Sequence, residues 1–324
     1  MTNLGRRQFA GYLGASALAL AGLPSFAQDK TLRVLVGFAA GGAADTVARA
    51  VGEGLRDCGY TTIVENKAGA AGRLATEALI AAPADGATLL MTPLGNLTLY
   101  PHVFKSLRYD PLKQFAGVGT ACTMSFALAV GANSPAKTLK QYLEMARADN
   151  ALAAYGTPGA GTAMHFIGQL LAKGAKVSLT HVAYKGGSAA VTDAIGGTLP
   201  AVITTLPNLL PMHRAGKLRI LAISDEAPLA MLPGVPTFKS AGFPDLVVTE
   251  TFAFFARAGT PAPVVAQLSQ AVAQAVKSEK VASLLQKQEY LPKASTADAL
   301  DRQLRDEYAR WAGIVKAAGY TPED

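Results

Sequence analysis

The sequence predicts an α/β protein built as two lobes. Apolar strand-like runs alternate with helical periodicity along the chain, and glycine-rich turns stand at the strand-to-helix junctions. Two long extended stretches, 115–130 and 247–255, interrupt the alternation and divide it. Such alternation implies βαβ units and a mostly parallel sheet. Two separate runs of units in a chain of this length fit two lobes better than one large sheet.

The elements follow in order. Residues 32–36 read as a short buried strand, and 46–55 as a helix with Val47, Val51 and Leu55 on one face. A strand at 61–64, a helix at 74–82 ended by Pro83, a turn at 84–86 and a strand at 88–91 complete the first run. The second run has strands at 128–130, 153–155, 179–184, 200–204 and 218–223, with helices at 138–148, 162–172 and 189–195. The chain ends in helices at 263–278, 279–288 and 297–318. Crossovers near Ser125 and Phe254 give a first lobe of 28–125 with 254–324 and a second lobe of 126–253. Two extended crossings make a hinge that lets lobes close on a ligand.

The first 27 residues read as a targeting segment. Arg6 and Arg7 precede an apolar, small-residue stretch, and Ser25-Phe26-Ala27 fits a small-x-small cleavage site. Arg6-Arg7-Gln8-Phe9 also resembles a twin-arginine signal. A membrane anchor is the rival reading, against which stand the short length of the stretch and Pro24 at its end. Cleavage leaves about 297 of the 324 residues and lowers the formal charge from +7 to +5, since Arg6 and Arg7 leave with no acid. That mild basicity without a polybasic cluster gives no support for nucleic-acid binding and suits an anionic ligand. The two cysteines, Cys58 and Cys122, are either independent buried thiols or a disulfide of an oxidising compartment.

Four junctions gather glycine with small or hydroxyl residues: 37–45, 66–72, 155–165 and 184–188. In a parallel sheet these collect at the carboxyl ends of the strands, where open α/β proteins bind ligands. Helix N-termini there offer unpaired N–H groups and the positive end of the dipole, and glycine lets an anion approach the backbone. Asp45 either caps or complements its helix, or orients loop amides, or meets a polar group on a ligand. His165 either donates to a ligand carboxylate or packs and caps. Lys185 is either a solvated lysine or a ligand contact.

Nucleotide and enzyme motifs fail. There is no GxxxxGK[ST], no GxSxG and no HExxH, and Gly159-Ala160-Gly161 does not continue to GxGxxG. His102, His165, His181 and His213 have no metal-ligand spacing. No cofactor and no metal are expected. The rival is an exported α/β hydrolase-like enzyme using His165, Asp45 and Ser125 or Ser188, which needs a nucleophile within reach of a base.

Gly37-Phe38-Ala39-Ala40-Gly41-Gly42-Ala43-Ala44-Asp45-Thr46-Val47-Ala48-Arg49 resembles the PFxPGGxxDxxAR signature of the tripartite tricarboxylate transporter receptors, the Bug family of extracytoplasmic binding proteins. Val64-Glu65-Asn66-Lys67-Ala68-Gly69-Ala70-Ala71-Gly72 is similar to that family's VENRPGAGG. Further matches, at 155–165, 182–187, 216–222, 232–237 and 259–261, come in order over essentially the whole mature chain.

The resemblance implies a two-lobed type II periplasmic-binding fold and a small carboxylate ligand. It implies delivery to the membrane subunits of a tripartite tricarboxylate-type transporter. One ligand carboxylate is expected on loop amides and waters from the first and third junctions, which nominates Phe38, Gly41, Gly42, Asp45, Gly161, Thr162 and His165. Gly72, Asn96, Thr157, Lys185 and Thr204 are further candidates. A periplasmic monomer is expected; a sensor delivering ligand to a signalling receptor would share these features. The chain departs from the family at Ala39 and Ala40, at Ala68 and Ala71, at Leu199-Pro200 and at 251–255, which bears on ligand class.

Overall fold

The computed structural model describes residues 30–184 and 186–322; the targeting segment and Lys185 lie outside the described residues. In the first half, β1 (Lys30–Val36) stands between β2 (Tyr60–Asn66) and β3 (Thr88–Pro93), parallel to both. In the second, β5 (Ala154–Thr157) stands between β6 (Thr180–Ala183) and β7 (Ala201–Thr205), again parallel to both.

The halves are joined by β4 (Phe115–Gly131), which pairs with β9 (Thr249–Arg257) from Phe115 to Ser125. From Phe126 onward it pairs with β7 and β8 (Leu218–Ile223). The short β10 (Leu291–Pro292) also lies on β4. The sheet is therefore mixed where a mostly parallel one was expected. Among the described residues, every pairing made by β4 or β9 is antiparallel. The reason is mechanical: β4 carries the chain out of the first lobe and β9 brings it back. The return is made by Thr249, ahead of the boundary expected at 254.

Strand alternation sorts the core into layers, because side chains project to opposite faces with period two. Val34 and Val36 of β1 and Phe252 and Phe254 of β9 pack under α1 (Ala43–Leu55), α9 (Ala262–Lys277) and α10 (Glu279–Gln286). Leu35 and Phe255 face the other way, onto α2 (Arg73–Ala81) and the start of α11 (Ala297–Ala317). Beyond the hinge the pattern repeats. Phe126, Leu128 and Val130 pack with Tyr142 of α5 (Leu139–Ala148) and Phe166 of α6 (Ala163–Ala175). Ala127 and Ala129 face α7 (Gly187–Gly196) and α8 (Leu206–Arg214).

Thr138, Ser278 and Thr296 cap α5, α10 and α11 through their hydroxyls, each such cap being worth about 1 kcal/mol. Helix α8 was not anticipated because Pro207 and Pro211 fall within it. Nor were the short α3 (Gly95–Thr98) and α4 (Tyr100–Val103), whose length gives no periodicity to read.

Two segments blur the expected lobe boundaries. Leu99 and Val103 follow the first run of βαβ units yet pack in the second core. Helix α11 buries Leu300 and Leu304 against the first core and Trp311 and Val315 against the second. Cys58 and Cys122 are both free thiols; Cys58 Sγ lies 3.7 Å from the Ala271 carbonyl, and burial pushes the Cys122 thiol up. No described helix is long and apolar enough to cross a membrane.

Ser224 staples the two crossings. Its Oγ accepts from the Phe126 N–H at 2.9 Å and donates to the Val248 carbonyl. Its backbone N–H donates to Phe126 O, and its carbonyl accepts from the Val248 N–H. Ser224 is fully buried, so Ser224→Ala strands the Phe126 N–H without water. That change is expected to cost about 1–3 kcal/mol. Thermal denaturation should show a melting point several degrees lower; an unchanged melting point would contradict the staple.

Candidate ligand-binding cleft

The first wall grows from the carboxyl ends of β1, β2 and β3. After Val36 the chain turns through Gly41, whose φ of +78° favours glycine, and enters α1 behind Gly42. The carboxylate of Asp45, 2% exposed, holds this turn. Its Oδ2 accepts from Gly41 N–H and Arg49 Nε, both at 2.9 Å, and its Oδ1 from Asn66 Nδ2 at 2.9 Å. Asn66 Nδ2 also donates to Phe38 O at 3.0 Å, which ties the first loop to the second. Burial would raise the Asp45 carboxyl, but the bonds from Arg49, Gly41 and Asn66 outweigh it and hold it below the usual carboxylate range. Asp45 thus orients the loop, and its acceptor capacity is taken up inside the lobe.

The second loop lies directly on the first. A Cβ at Gly37 would fall 2.4 Å from Gly72 Cα, so only glycine allows the approach. Gly72 has φ +91°, and a Cβ there would meet Asn96 Nδ2 at 2.6 Å and Phe38 Cζ at 3.1 Å. Asn96, on α3, donates to Ala71 O at 3.3 Å, and Tyr109 Oη donates to Asn96 O at 2.6 Å. Phe38, Gly72 and Asn96 therefore come together.

The second wall grows from β5, β6 and β7. Gly161 (φ +68°) precedes Thr162, whose Oγ1 caps α6 by accepting from His165 N–H at 3.3 Å and donates to Gly159 O at 2.8 Å. Gly161 N–H donates to His165 Nδ1 at 3.2 Å, so His165 carries its proton on Nε2. That nitrogen stands 3.0 Å from the Gln169 amide, whose Oε1 is otherwise buried without a partner; turning the amide over satisfies both. His181 stacks on His165 with ring centroids 3.9 Å apart, and its Nε2 donates to Thr157 Oγ1 at 2.7 Å. Burial, with His165 beside it, lowers the His181 imidazole to about 4.

Thr157 and Thr204 are fully buried. Thr157 Oγ1 donates to Gly159 O, and Thr204 Oγ1 accepts from Asn208 beneath Gly187. These two hydroxyls brace the loops from within. A Cβ at Gly161 would lie 3.0 Å from Tyr320 Oη and 3.6 Å from Val103 Cβ, both of which pack on the second core.

What remains for a ligand is backbone. Helices α1, α2 and α7 start behind Gly42, Gly72 and Gly186 with no side-chain cap, and Ala39–Gly41 are exposed. Uncapped N–H groups at the positive ends of helices bind a carboxylate or phosphate. Of the residues the enzyme rival needs, Asp45 and His165 stand in different lobes with partners of their own, and Ser125 lies at the hinge, where its backbone is in register with Thr249. Among the described residues no His, Cys, Asp and Glu group could hold a metal.

Glu250 was missed, because one acid in the apolar run of β9 carries no motif. Its Oε1 accepts from Gly95 N–H at 3.3 Å and Thr251 N–H at 3.1 Å. Burial, with Glu307 nearby, raises its carboxyl to about 7 despite those bonds.

Two lobes joined by crossing strands, with glycine-led, uncapped helix starts following their parallel strands, are the build of a solute-binding protein of the periplasmic type. The model of the tripartite tricarboxylate transporter family receptor matches residues 47–320, and the chain belongs to that family. It is 33% identical to the UPF0065 protein in the gbd 5′ region of Cupriavidus necator, over 84% of this chain and 85% of that one. The solved structure of MatC from Rhodopseudomonas palustris with bound malate is similar at 29% identity and TM-score 0.76, covering 90% of this chain and all of that one. A second R. palustris structure, with adipate, is similar at 26% identity and TM-score 0.80, covering 93% and 100%.

Two titrations test the electrostatics. The His181 pKa is depressed on folding, so its contribution to stability is full above about 6.5 and is lost as pH falls toward 4. His181→Asn should flatten the fall in melting temperature over that window; an unaltered slope would count against the buried neutral imidazole. The Glu250 pKa is raised on folding, so stability declines as pH rises from 4.5 to about 7. Glu250→Gln should leave the melting point unchanged below pH 4.5 and raise it by a few degrees at pH 7; equal shifts at both pH values would contradict the assignment.

Proposed function

We propose that the protein is an exported periplasmic receptor that captures a small organic carboxylate between its lobes and delivers it to the membrane subunits of a tripartite tricarboxylate-type transporter. It acts as a monomer and performs no chemistry on its ligand. The twin-arginine-like segment at residues 1–27 takes it across the membrane and is removed. The lobes are 28–125 with 254–324, and 126–253, joined at the crossings, with α11 bridging both.

The observation that carries this reading is the set of uncapped, glycine-led helix ends at the cleft. The sites are electropositive without a charged side chain, and they are held in place by groups, Asp45 and His165, whose own bonding is complete. Such an arrangement grips a carboxylate through fixed dipoles and releases it intact. The malate and adipate held by the two R. palustris structures are ligands of that chemistry. In the ligand site Phe38, Gly41, Gly42, Gly161 and Thr162 face the bound acid, and Lys185 adds a cation at the fourth loop. Asp45, Gly72, Asn96, Thr157, His165 and Thr204 hold the loops in shape.

Mass spectrometry of the denatured, freshly purified protein, followed by a thermal-shift screen of the stripped protein against carboxylic acids and their amides, tests this. A saturable rise in melting temperature with at least one acid and none with its amide is expected. A shift with amides as large as with acids would overturn carboxylate capture.

A further inference from the structure

We propose that Glu250 and Glu307 form a protonation latch at the junction of the lobes: with one proton on the pair the lobes stay packed, and its loss lets them part. This rests on the reading that the lobes part to take up and release a ligand, and adds to it what sets the balance.

The pair stands where the chain passes from one core to the other. Four segments make that passage, and each places a polar side chain at the step. Strand β4 runs from Met124 in the first core to Phe126 in the second, through Ser125. Strand β9 follows Val248 of the second core and enters the first at Phe252, with Glu250 between. The α3–α4 segment leaves the first core at Leu97, enters the second at Leu99, and goes on to Tyr100 and His102. Helix α11 leaves the first core at Leu304 and enters the second at Trp311, with Glu307 between.

Hydrogen bonds knit these steps together. Glu250 Oε1 accepts from Gly95 N–H, at the head of α3, at 3.3 Å and from Thr251 N–H at 3.1 Å. Gln303 of α11 donates through Nε2 to Thr251 Oγ1 at 3.0 Å and to Glu307 Oε1 at 2.7 Å. His102 Nε2 donates to Tyr308 O at 3.0 Å, which ties α4 to α11. Two half-buried carboxylates thus share one polar seam between the cores.

The charges in that seam are uneven. Burial raises the Glu307 carboxyl, while the Gln303 bond, Arg310 and Lys293 pull it back. Glu250 has amide donors and the Glu307 carboxylate as its neighbours, and burial with Glu307 pushes it up to about 7. Tyr100, which faces both Glu250 and Arg73, is a neutral hydroxyl, its phenol pushed up to about 12 chiefly by burial. Parting the lobes brings water to the seam, and a hydrated glutamate ionises near its ordinary value of 4.5. The packed form therefore binds the proton more tightly. The stability this gives is full below 4.5 and is lost as pH rises to about 7. His102 works in the opposite sense at lower pH, since burial lowers its imidazole and its protonation disfavours the packed form. A receptor so built holds its ligand more firmly in an acidic medium and lets go more readily near neutrality.

The test is single-molecule energy transfer on the full exported chain without ligand, from pH 5.5 to 8. Dyes go on Gln270→Cys of α9 and Lys140→Cys of α5, both exposed, in a Cys58→Ser background. In this chain the ratio of packed to parted forms should fall as pH rises toward 7, by up to about tenfold for each pH unit over which one proton is exchanged. Glu250→Gln mimics the protonated acid and should hold the low-pH ratio up to pH 8. Glu307→Gln removes the repelling charge and should move the fall to lower pH; it also supplies the comparison if Glu250→Gln does not fold. Circular dichroism that stays constant over the window separates parting from unfolding. Transfer that does not change with pH, or a pH response that survives unaltered in both variants, would overturn the latch. Either result would leave carboxylate capture, read separately by thermal shift, intact.

Discussion

Asp45 is a carboxylate withdrawn from water, and the first wall of the cleft depends on how it is satisfied. Bonds from Gly41, Arg49 and Asn66 compensate its desolvation, hydrogen bonds to a charged group being worth about 1.5–3 kcal/mol each. Because one of these donors is the amide of the turn and another also holds the Phe38 carbonyl, the cost of burying the charge is recovered only in one loop conformation. Fixed loops matter because dipoles aimed in advance lose no freedom when a ligand arrives. His165 has the same duty in the second lobe, through Gly161 and Gln169, and its ring stacks on that of His181.

The two walls can move as units because little chain joins them. A single strand, β4, changes partners between Ser125 and Phe126, and the return at Val248 is held to it through Ser224. Helix α11 adds a third tie, with Trp311 and Val315 in the second core. The hinge is thus short and hydrogen-bonded, while the packing on either side is layered and rigid, the combination that favours rotation of lobes over deformation within them.

Most of this architecture was legible in the residues. The 37–45 and 155–165 junctions announced themselves through glycine density, and the apolar length of 115–130 marked the crossing. The mixed pairing of the sheet was not legible, because strand direction depends on where β4 and β9 travel and neither strand's composition records it. Thr157 and Thr204 belong to the site region but are fully buried, a distinction set by the packing of Gly159 and Gly187 against them. Glu250 was overlooked for the same reason in reverse. A single acid at the start of a strand looks solvated until tertiary contacts place Gly95 beside it.

The central claim is that backbone amides of the glycine-led loops and helix starts in both lobes hold the ligand carboxylate. Hydrogen–deuterium exchange, with and without a saturating acid ligand, measures those amides directly. The account predicts new protection at residues 39–45, 159–162 and 186–188, in both lobes at once. Saturable binding that leaves these amides exchanging as before, or protects one lobe alone, would contradict it.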